Sequence, residues 1–206
     1  MQRTDWDARY SSADLVWSAE PNRWVEAELS DAAPGMALDL AAGEARNAIW
    51  LAGLGWTVTA ADFSHVALSK GRRLAESFDD DRASRIRWLD VDLTDYTPEP
   101  GRYDLVLIVY LHVVATQRHY IVGRAVAALA PGGTLLVVGH DTTNIADGVG
   151  GPQDSSVLFT PDDIVADLAT SGLTLRIEKA ERVLRPVEGA DRPAIDALVR
   201  AVALGE

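Results

Sequence analysis

The sequence predicts an α/β fold of the doubly wound kind, with a mostly parallel sheet of seven strands that ends in an antiparallel hairpin. Short apolar runs alternate with segments of helical periodicity along most of the chain, a pattern typical of parallel strands joined by helices. From Ala37 to Asp62 the chain reads ALDLAAGEARNAIWLAGLGWTVTAAD. An apolar run ending in Asp39 is followed by small residues, a helix and a second run ending in Asp62, which is typical of the first half of a nucleotide-binding sheet.

Charge and composition exclude several classes of protein. Acidic residues outnumber basic residues by 31 to 19, which gives a formal net charge of −12 at pH 7. Such a surface repels phosphate backbones, so a nucleic-acid partner is disfavoured. The chain has no cysteine, which excludes disulfides and cysteine-ligated metal sites. No stretch approaches the ~18 consecutive apolar residues of a membrane span and the N-terminus, MQRTDWDARY, lacks the apolar core of a signal peptide, so we expect a cytoplasmic protein without a membrane partner.

The N-terminal segment is rich in aromatic residues. A short polar helix is predicted over Thr4–Ser11, with Trp6 and Tyr10 on one face, and a second helix is predicted from about Asn22 to Ser30. Trp17 lies between the two helices. Two interpretations stay open: the segment covers a bound ligand as a lid, or its aromatic side chains only pack helices onto the sheet.

The turn after Asp39 has the features of a ligand-binding loop. Its residues are small apart from Glu44, so a ligand can approach the backbone, and the N–H groups that begin the helix Glu44–Leu54 favour a negative group. Asp62 follows Asp39 by 23 positions (62 − 39), about the interval at which an acid meets ribose hydroxyls. Nicotinamide dinucleotides and S-adenosylmethionine both suit this arrangement. The dinucleotide fingerprint requires several glycines, whereas this loop has only Gly43, which favours S-adenosylmethionine.

The remaining elements follow in the order of alternating strands and helices. They are the helix Ser64–Phe78 with Ser64 as N-cap, the strands Ile86–Leu89 and Tyr103–Val109, the helix Gln117–Ala130, the strand Thr134–Gly139 and a helix that starts at Thr160 and runs to Ser171. Two further runs, about Leu173–Val187 and Ala194–Val202, are predicted to form the terminal hairpin. A helix over Ala194–Leu204 is the strongest local alternative, because alanine and leucine favour helices.

Polar residues follow several predicted strands, at the edge where open α/β sheets bind ligands. Asp90 and Asp92 follow the third strand, and the two compete for contact with a ligand there. His112 comes after the strand that ends at Val109, and His140 comes after the fifth strand. Histidine titrates near neutral pH, so both are candidate general bases. The alternative is that each histidine is a structural side chain that hydrogen-bonds at the sheet edge.

The stretch DLAAGEARN resembles the glycine-rich motif D-x-G-x-G-x-G of the class I S-adenosylmethionine-dependent methyltransferases. It is similar in particular to their tellurite-resistance and thiopurine-methyltransferase-like branch, in which Arg-Asn often follows the motif. The matching residues are Asp39, Gly43, Arg46 and Asn47, while Ala41 and Ala45 depart from the motif. The resemblance covers about Asp39 to Gly139 and implies a Rossmann-like fold.

The resemblance implies S-adenosylmethionine as cofactor and S-adenosylhomocysteine as product. It assigns the ribose to Asp62, the adenine to Asp92 and Leu93, the methionine portion to the loop Ala41–Ala45 with Gly43 at its centre, and the methionine carboxylate to Arg46. The other cofactor contacts that it implies are Asp39, Phe63, Val109 and Trp17. No metal ion is required.

The implied function is direct in-line transfer of a methyl group to an oxygen, nitrogen or sulfur atom of a small molecule. We expect a single domain with an N-terminal helical lid over residues 1–33, a cofactor-binding core over 34–140, and an acceptor loop with the hairpin over 141–206. The segment Thr142–Ser156 is long and rich in small residues, which indicates an active-site loop. Two other hypotheses stay open: a non-catalytic S-adenosylmethionine-binding module and a nicotinamide-dependent oxidoreductase.

Overall fold

The structure is a computed structural model that describes residues 3–13, 15–16 and 18–205. Its seven strands lie in the order β3-β2-β1-β4-β5-β7-β6, and their bounds follow below. The predicted fold class is therefore confirmed. Among the described residues, no helix is long and apolar enough to cross a membrane.

The chain forms two compact units, which divide between Thr97 and Pro98. The helices and strands of the first unit are α1 (Arg3–Ser11), α2 (Arg23–Leu29), β1 (Met36–Leu40), α3 (Arg46–Gly53), β2 (Thr57–Asp62), α4 (His65–Glu76) and β3 (Ile86–Asp90). The strands β1, β2 and β3 are parallel. Their carboxyl ends therefore share one edge, where ligands bind in folds of this kind.

The second unit contains the remaining four strands. Its elements are β4 (Tyr103–Val109), α5 (Ala115–Ala127), β5 (Leu129–His140), α6 (Asn144–Asp147), α7 (Pro161–Ala169), β6 (Leu175–Arg185) and β7 (Ala194–Ala203). The strands β4 and β5 are parallel, while β7 is antiparallel to both β5 and β6. The predicted terminal hairpin is thus confirmed.

The segment β7 is a strand although its alanines and leucines favour a helix, so the helical alternative for Ala194–Leu204 is wrong. The strand pairs on both sides, with β5 and with β6. Seven of its ten residues are buried, which includes positions on both faces of the sheet. A helix would leave the strand β5 without this partner, so tertiary pairing overrides the local propensity.

The helix α7 begins as the sequence predicts, at a capping box. The hydroxyl of Thr160 accepts the Asp163 N–H at 3.2 Å, and the Asp163 carboxylate accepts the Thr160 N–H at 2.8 Å. We expect Thr160→Ala to lower the free energy of unfolding by about 1 kcal/mol in urea titrations, because the Asp163 N–H at the helix start loses its side-chain acceptor. The exposed Thr174→Ala is the control, with an expected change below about 0.5 kcal/mol. Equal losses in the two variants would contradict the capping role.

Candidate functional site

In the loop between β1 and α3, every second residue has a backbone in the left-handed conformation. Ala41, Gly43 and Ala45 have φ angles of 61°, 57° and 59°, in the left-handed region that favours glycine. These are the three positions at which the D-x-G-x-G-x-G motif has glycine. The helix begins at Arg46, two residues after the predicted start, because Ala45 is left-handed. The loop therefore takes the conformation of a glycine-rich turn with alanine at two of the three positions.

This backbone predicts opposite effects for exchanging alanine and glycine. Ala41→Gly and Ala45→Gly are each expected to raise the free energy of unfolding by up to about 1 kcal/mol. A non-glycine residue in the left-handed conformation costs about 1–2 kcal/mol, which glycine avoids. The greater conformational entropy of glycine in the unfolded chain cancels part of this gain. Gly43→Ala is the matched reverse exchange and is expected to destabilise. A Cβ at Gly43 would lie 2.7 Å from the Tyr10 hydroxyl oxygen. Destabilisation by Ala45→Gly in urea titrations would contradict this account.

Asp62, the last residue of β2, connects this loop to the start of α4. Its two carboxylate oxygens accept the N–H groups of Gly43 and Ser64, each at 2.8 Å. The side chain is 5% exposed, and burial is the largest cause that raises the pKa of Asp62. Each carboxylate oxygen has a second lone pair, so Asp62 can also accept hydroxyl groups of a ligand.

Asp39 is a buried carboxylate beside the same loop. It is 1% exposed, and neither of its oxygens has a hydrogen bond of ordinary geometry to a described residue. Burial raises the pKa of Asp39 to about 7, and the nearby Asp62 adds to this shift, while the backbone N–H of Ala48 and the guanidinium of Arg46 oppose it. Arg46, the first residue of α3, is half-buried. Strongly raised pKa values of this kind are frequent among the acids of functional sites.

Two charged side chains, Glu44 and Lys70, bind the N-terminal segment next to the loop. The Glu44 carboxylate accepts the N–H of Val16 at 3.0 and 3.1 Å, and the ammonium group of Lys70 lies 3.7 Å from it. Lys70 also donates to the carbonyl oxygens of Tyr10 and Ala13. Tyr10 is buried, with its hydroxyl over Gly43. The aromatic N-terminal segment thus covers the loop.

A second link joins α2 to α3. The side chain of Asn47 accepts the N–H of Asn22 at 2.8 Å, and both residues are buried. Asn22 is also the N-cap of α2, where its side chain accepts the Trp24 N–H at 2.9 Å. The Arg-Asn pair after the motif therefore includes one residue with a structural contact to the N-terminal segment.

The two acids after β3 have different surroundings. Asp90 lies 3.2 Å from the Arg3 guanidinium. Asp92 is exposed and closes a turn by accepting the N–H and hydroxyl of Thr94 at 2.9 and 2.7 Å, and the adjacent Leu93 is 9% exposed. Phe63 is half-buried under the Arg3 guanidinium. Trp17 lies outside the described residues.

Four ring or apolar side chains gather at the ends of β4 and β5 in the second unit. Val109, the last residue of β4, is 8% exposed, and Tyr110 has a left-handed φ of 56°. The rings of Tyr110 and His140 are 4.8 Å apart, and those of His112 and His140 are 5.8 Å apart and nearly parallel. A left-handed tyrosine is strained, and such strain clusters at functional sites. The two predicted histidines therefore lie side by side.

Two residues of this cluster, Asp196 and Arg185, were not predicted from the sequence. Asp196 of β7 is fully buried and accepts the Tyr110 hydroxyl at 2.7 Å and the Arg185 Nε at 2.8 Å. Its other oxygen lies 3.3 Å from His140 Nδ1. The one available signal was an acid inside the apolar run AIDALVRAVA, because a buried acid needs a partner.

The segment Thr142–Ser156 is held at its start by Asp141 and Asn144. The fully buried Asp141 accepts the N–H and hydroxyl of Thr143 and the Nε of Arg182, all within 2.9 Å. The Asn144 side chain donates to the carbonyl of Gly150 at 2.8 Å and accepts the Ile195 N–H at 2.7 Å. Across residues 3–13, 15–16 and 18–205, no group of three or more His, Asp or Glu side chains is arranged to hold a metal ion.

Comparison with known proteins identifies the core of the chain. Residues 37–133 match the family model described as "Methyltransferase domain", and this range includes the left-handed loop, Asp39 and Asp62. No curated protein matches the sequence. The matched range covers 97 of the 206 residues (133 − 37 + 1), and over this range the chain is similar to a methyltransferase domain.

Solved structures match the fold over nearly the whole chain. The 1,6-didemethyltoxoflavin-N1-methyltransferase of Burkholderia thailandensis, with bound 1,6-didemethyltoxoflavin and S-adenosylhomocysteine, is 20% identical, with a TM-score of 0.72 and coverage of 98% of this chain and 87% of that chain. A glycopeptide N-methyltransferase complexed with S-adenosyl-L-methionine is 21% identical, with a TM-score of 0.66 and coverage of 91% and 89%. A structure from work on the conversion of a disulfide bond into a thioacetal group during echinomycin biosynthesis is 20% identical, with a TM-score of 0.70 and coverage of 98% and 92%.

Proposed function

We propose that this protein is a methyltransferase that uses S-adenosylmethionine as its cofactor and transfers the methyl group directly to an oxygen, nitrogen or sulfur atom of a small molecule. The observation that carries the proposal is the loop Ala41–Ala45. Its three left-handed residues give the turn the conformation of a glycine-rich loop, and the buried acids Asp39 and Asp62 flank it. A cradle of this kind fits the methionine portion and the ribose of the cofactor.

The contacts of the cofactor follow from this placement. Asp62 accepts the ribose hydroxyls with the lone pairs that the Gly43 and Ser64 N–H groups leave open. Asp92 accepts the adenine amino group, and Leu93 covers the ring with its apolar side chain. Arg46 holds the methionine carboxylate, since a planar guanidinium binds a carboxylate with two hydrogen bonds. Tyr10 and the fastened N-terminal segment cover the loop as a lid.

When bound, S-adenosylmethionine would supply an activated methyl group on a sulfonium, whose sulfur is a leaving group that retains the electron pair of the carbon–sulfur bond. The main task of this chain is to orient the two reactants. Orientation alone can lower a barrier by about 7–11 kcal/mol. No residue has to form a covalent intermediate.

A base is needed when the acceptor atom carries a proton. We assign this role to the histidines after β4 and β5, His112 and His140, which lie with their rings 5.8 Å apart. A neutral imidazole takes the proton from the acceptor and passes it to water. A positioned base contributes about 10²–10⁴-fold to the rate. His140, at 9% exposed, is better shielded from water than the half-buried His112.

A small molecule fits this enzyme better than a polymer. The net charge of −12 disfavours a nucleic acid, and the two similar methyltransferases with named substrates act on 1,6-didemethyltoxoflavin and on a glycopeptide. The segment Thr142–Ser156 begins two residues after His140 and forms the acceptor loop. The tellurite-resistance and thiopurine-like branch is supported by the Arg46-Asn47 pair and by the contact of Asn47 with Asn22.

Calorimetric titration of S-adenosylmethionine and S-adenosylhomocysteine into the purified protein tests the proposal. We expect both to bind with micromolar dissociation constants. Asp62→Asn is expected to weaken both by roughly 10- to 100-fold, because a hydrogen bond to a charged acceptor contributes about 1.5–3 kcal/mol. A rise in melting temperature on ligand addition should accompany the binding heat.

Asp90→Asn is the matched control. Asp90 pairs with Asp62 in the register of β2 and β3, but it is exposed and faces Arg3, so its loss should leave the affinity unchanged. NAD and NADP serve as ligand controls. Absence of binding by either adenosyl ligand, or tighter binding of a nicotinamide dinucleotide, would overturn the proposal.

A further inference from the structure

Asp196 lies directly opposite His140 in the antiparallel pairing of β5 and β7. Residues in such a pair have neighbouring side chains on one face of the sheet. Asp196 is fully buried and His140 is 9% exposed. A carboxylate and an imidazole are therefore held next to each other in a place that is closed to water.

The carboxylate of Asp196 is itself held in position. Oδ2 accepts the Tyr110 hydroxyl and the Arg185 Nε at 2.7 and 2.8 Å. Burial, with the neighbouring Asp196 charge, raises the pKa of Tyr110, so its hydroxyl stays a donor. The Arg185 guanidinium supplies the positive charge that a buried carboxylate needs. Oδ1 lies 3.5 Å from Arg185 Nη2 and 3.3 Å from His140 Nδ1. The contact with Nδ1 is close but does not have the geometry of a hydrogen bond, so Asp196 acts on Nδ1 through its charge.

The opposite edge of the imidazole faces glycine. A Cβ on Gly151 would lie 2.8 Å from Nε2 and Cδ2 of His140 and 2.9 Å from Cε1. Gly151 also has a left-handed φ of 75°, so any other residue there is strained and collides with the ring. The segment Thr142–Ser156 therefore approaches the Nε2 edge without placing a side chain against it.

We propose that Asp196 is a positioning residue for His140, whose carboxylate keeps the imidazole proton on Nδ1 so that the Nε2 lone pair is directed to the acceptor. The inference rests on the proposed function, since His140 is the base there. A carboxylate that fixes the tautomer of a histidine through one nitrogen sets the basic character of the other. Proton transfer from the acceptor then goes to Nε2, and Asp196 stays ionised.

The tautomer can be measured without cofactor or acceptor. In protein labelled with ¹⁵N-histidine, long-range proton–nitrogen correlation spectra distinguish a protonated Nδ1 from a protonated Nε2, and the His140→Gln variant identifies the signals of His140. At a pH where the ring is neutral, we expect His140 to carry its proton on Nδ1. A proton on Nε2 in the wild-type protein would overturn the inference, whether or not any variant folds.

Two variants sharpen the test. In Asp196→Asn the charge is lost, and the population of His140 is expected to move toward the Nε2-protonated tautomer. In Tyr110→Phe the carboxylate remains opposite the ring, and the wild-type tautomer should persist although Asp196 has lost a hydrogen bond. An unchanged tautomer in a folded Asp196→Asn variant would overturn the inference. The calorimetric titration separates the two proposals. An unchanged tautomer in a protein that binds the adenosyl ligands rejects only the positioning role of Asp196. A protein that binds neither adenosyl ligand rejects the proposed function, whatever the tautomer of His140.

Discussion

Asp39→Asn is expected to stabilise the protein more at pH 8 than at pH 5, by about 2–3 kcal/mol. Burial, with the nearby Asp62, raises the pKa of Asp39 from 3.8 to about 7 in the folded protein. Between these values the folded state holds a proton that the unfolded state has released, so the folded state binds more protons. Stability therefore falls as the pH rises through this window, by about 1.4 kcal/mol per pH unit. Asparagine does not ionise, so the variant escapes this loss.

Urea titrations of the two proteins at pH 5 and pH 8, without ligand, measure the effect. The difference between wild type and variant reports Asp39 together with its coupling to Asp62, because the other carboxyl groups titrate alike in both proteins. The exposed Asp95→Asn is the matched control and should show the same difference at both pH values. A difference for Asp39→Asn that is independent of pH would mean that the buried carboxyl is already ionised at pH 5.

Gly139→Ala is expected to lower the free energy of unfolding by about 2–3 kcal/mol. A Cβ at this position of β5 would lie 2.4 Å from Cζ and 2.7 Å from Cε1 of Phe159, a ring that is 4% exposed. Neither the central strand nor the buried ring can move away cheaply, so the added methyl group overpacks the core. Denaturant titration gives the magnitude.

The companion variant Phe159→Leu removes the two ring atoms that the methyl group meets. It costs about 1–2 kcal/mol by itself, but in its background Gly139→Ala should cost less than about 1 kcal/mol, which is a coupling that neighbouring residues show. Gly123→Ala in α5 is the control of opposite sign. A Cβ there meets nothing within 4 Å, so alanine should stabilise the helix by about 0.5–1 kcal/mol. Equal costs of Gly139→Ala in both backgrounds would reject the steric account.

The periodicity of apolar residues and the residue types that begin and end helices were sufficient to predict most of the helices and strands. The strand β4 has the bounds that its apolar run predicts, and Ser64 and Thr160 cap their helices as expected. The errors lie where tertiary structure decides. The segment β7 is a strand because it pairs on both sides, and α3 starts late because Ala45 adopts a conformation that alanine rarely takes.

The candidate site was predictable only in part. The order of strands and helices in the sequence indicates which residues follow the parallel strands, but it does not indicate which residues of the terminal hairpin contact them. Asp62 ends β2 and the two histidines follow β4 and β5, so the order of strands and helices in the sequence was enough to name them as candidates. Asp196 and Arg185 reach His140 and Tyr110 through the register of β5, β7 and β6, which no local pattern specifies. The surroundings of Asp39 also depend on packing rather than on spacing.

The attachment of the N-terminal segment has a consequence for how this enzyme can diverge. Lys70 and Glu44 hold the segment through the carbonyl oxygens of Tyr10 and Ala13 and the N–H of Val16. Every residue type offers the carbonyl oxygen, and every type except proline offers the N–H. The side chains of this segment can therefore be exchanged in evolution while Lys70 and Glu44 stay the same, so the segment can change its chemistry without any change in the loop Ala41–Ala45.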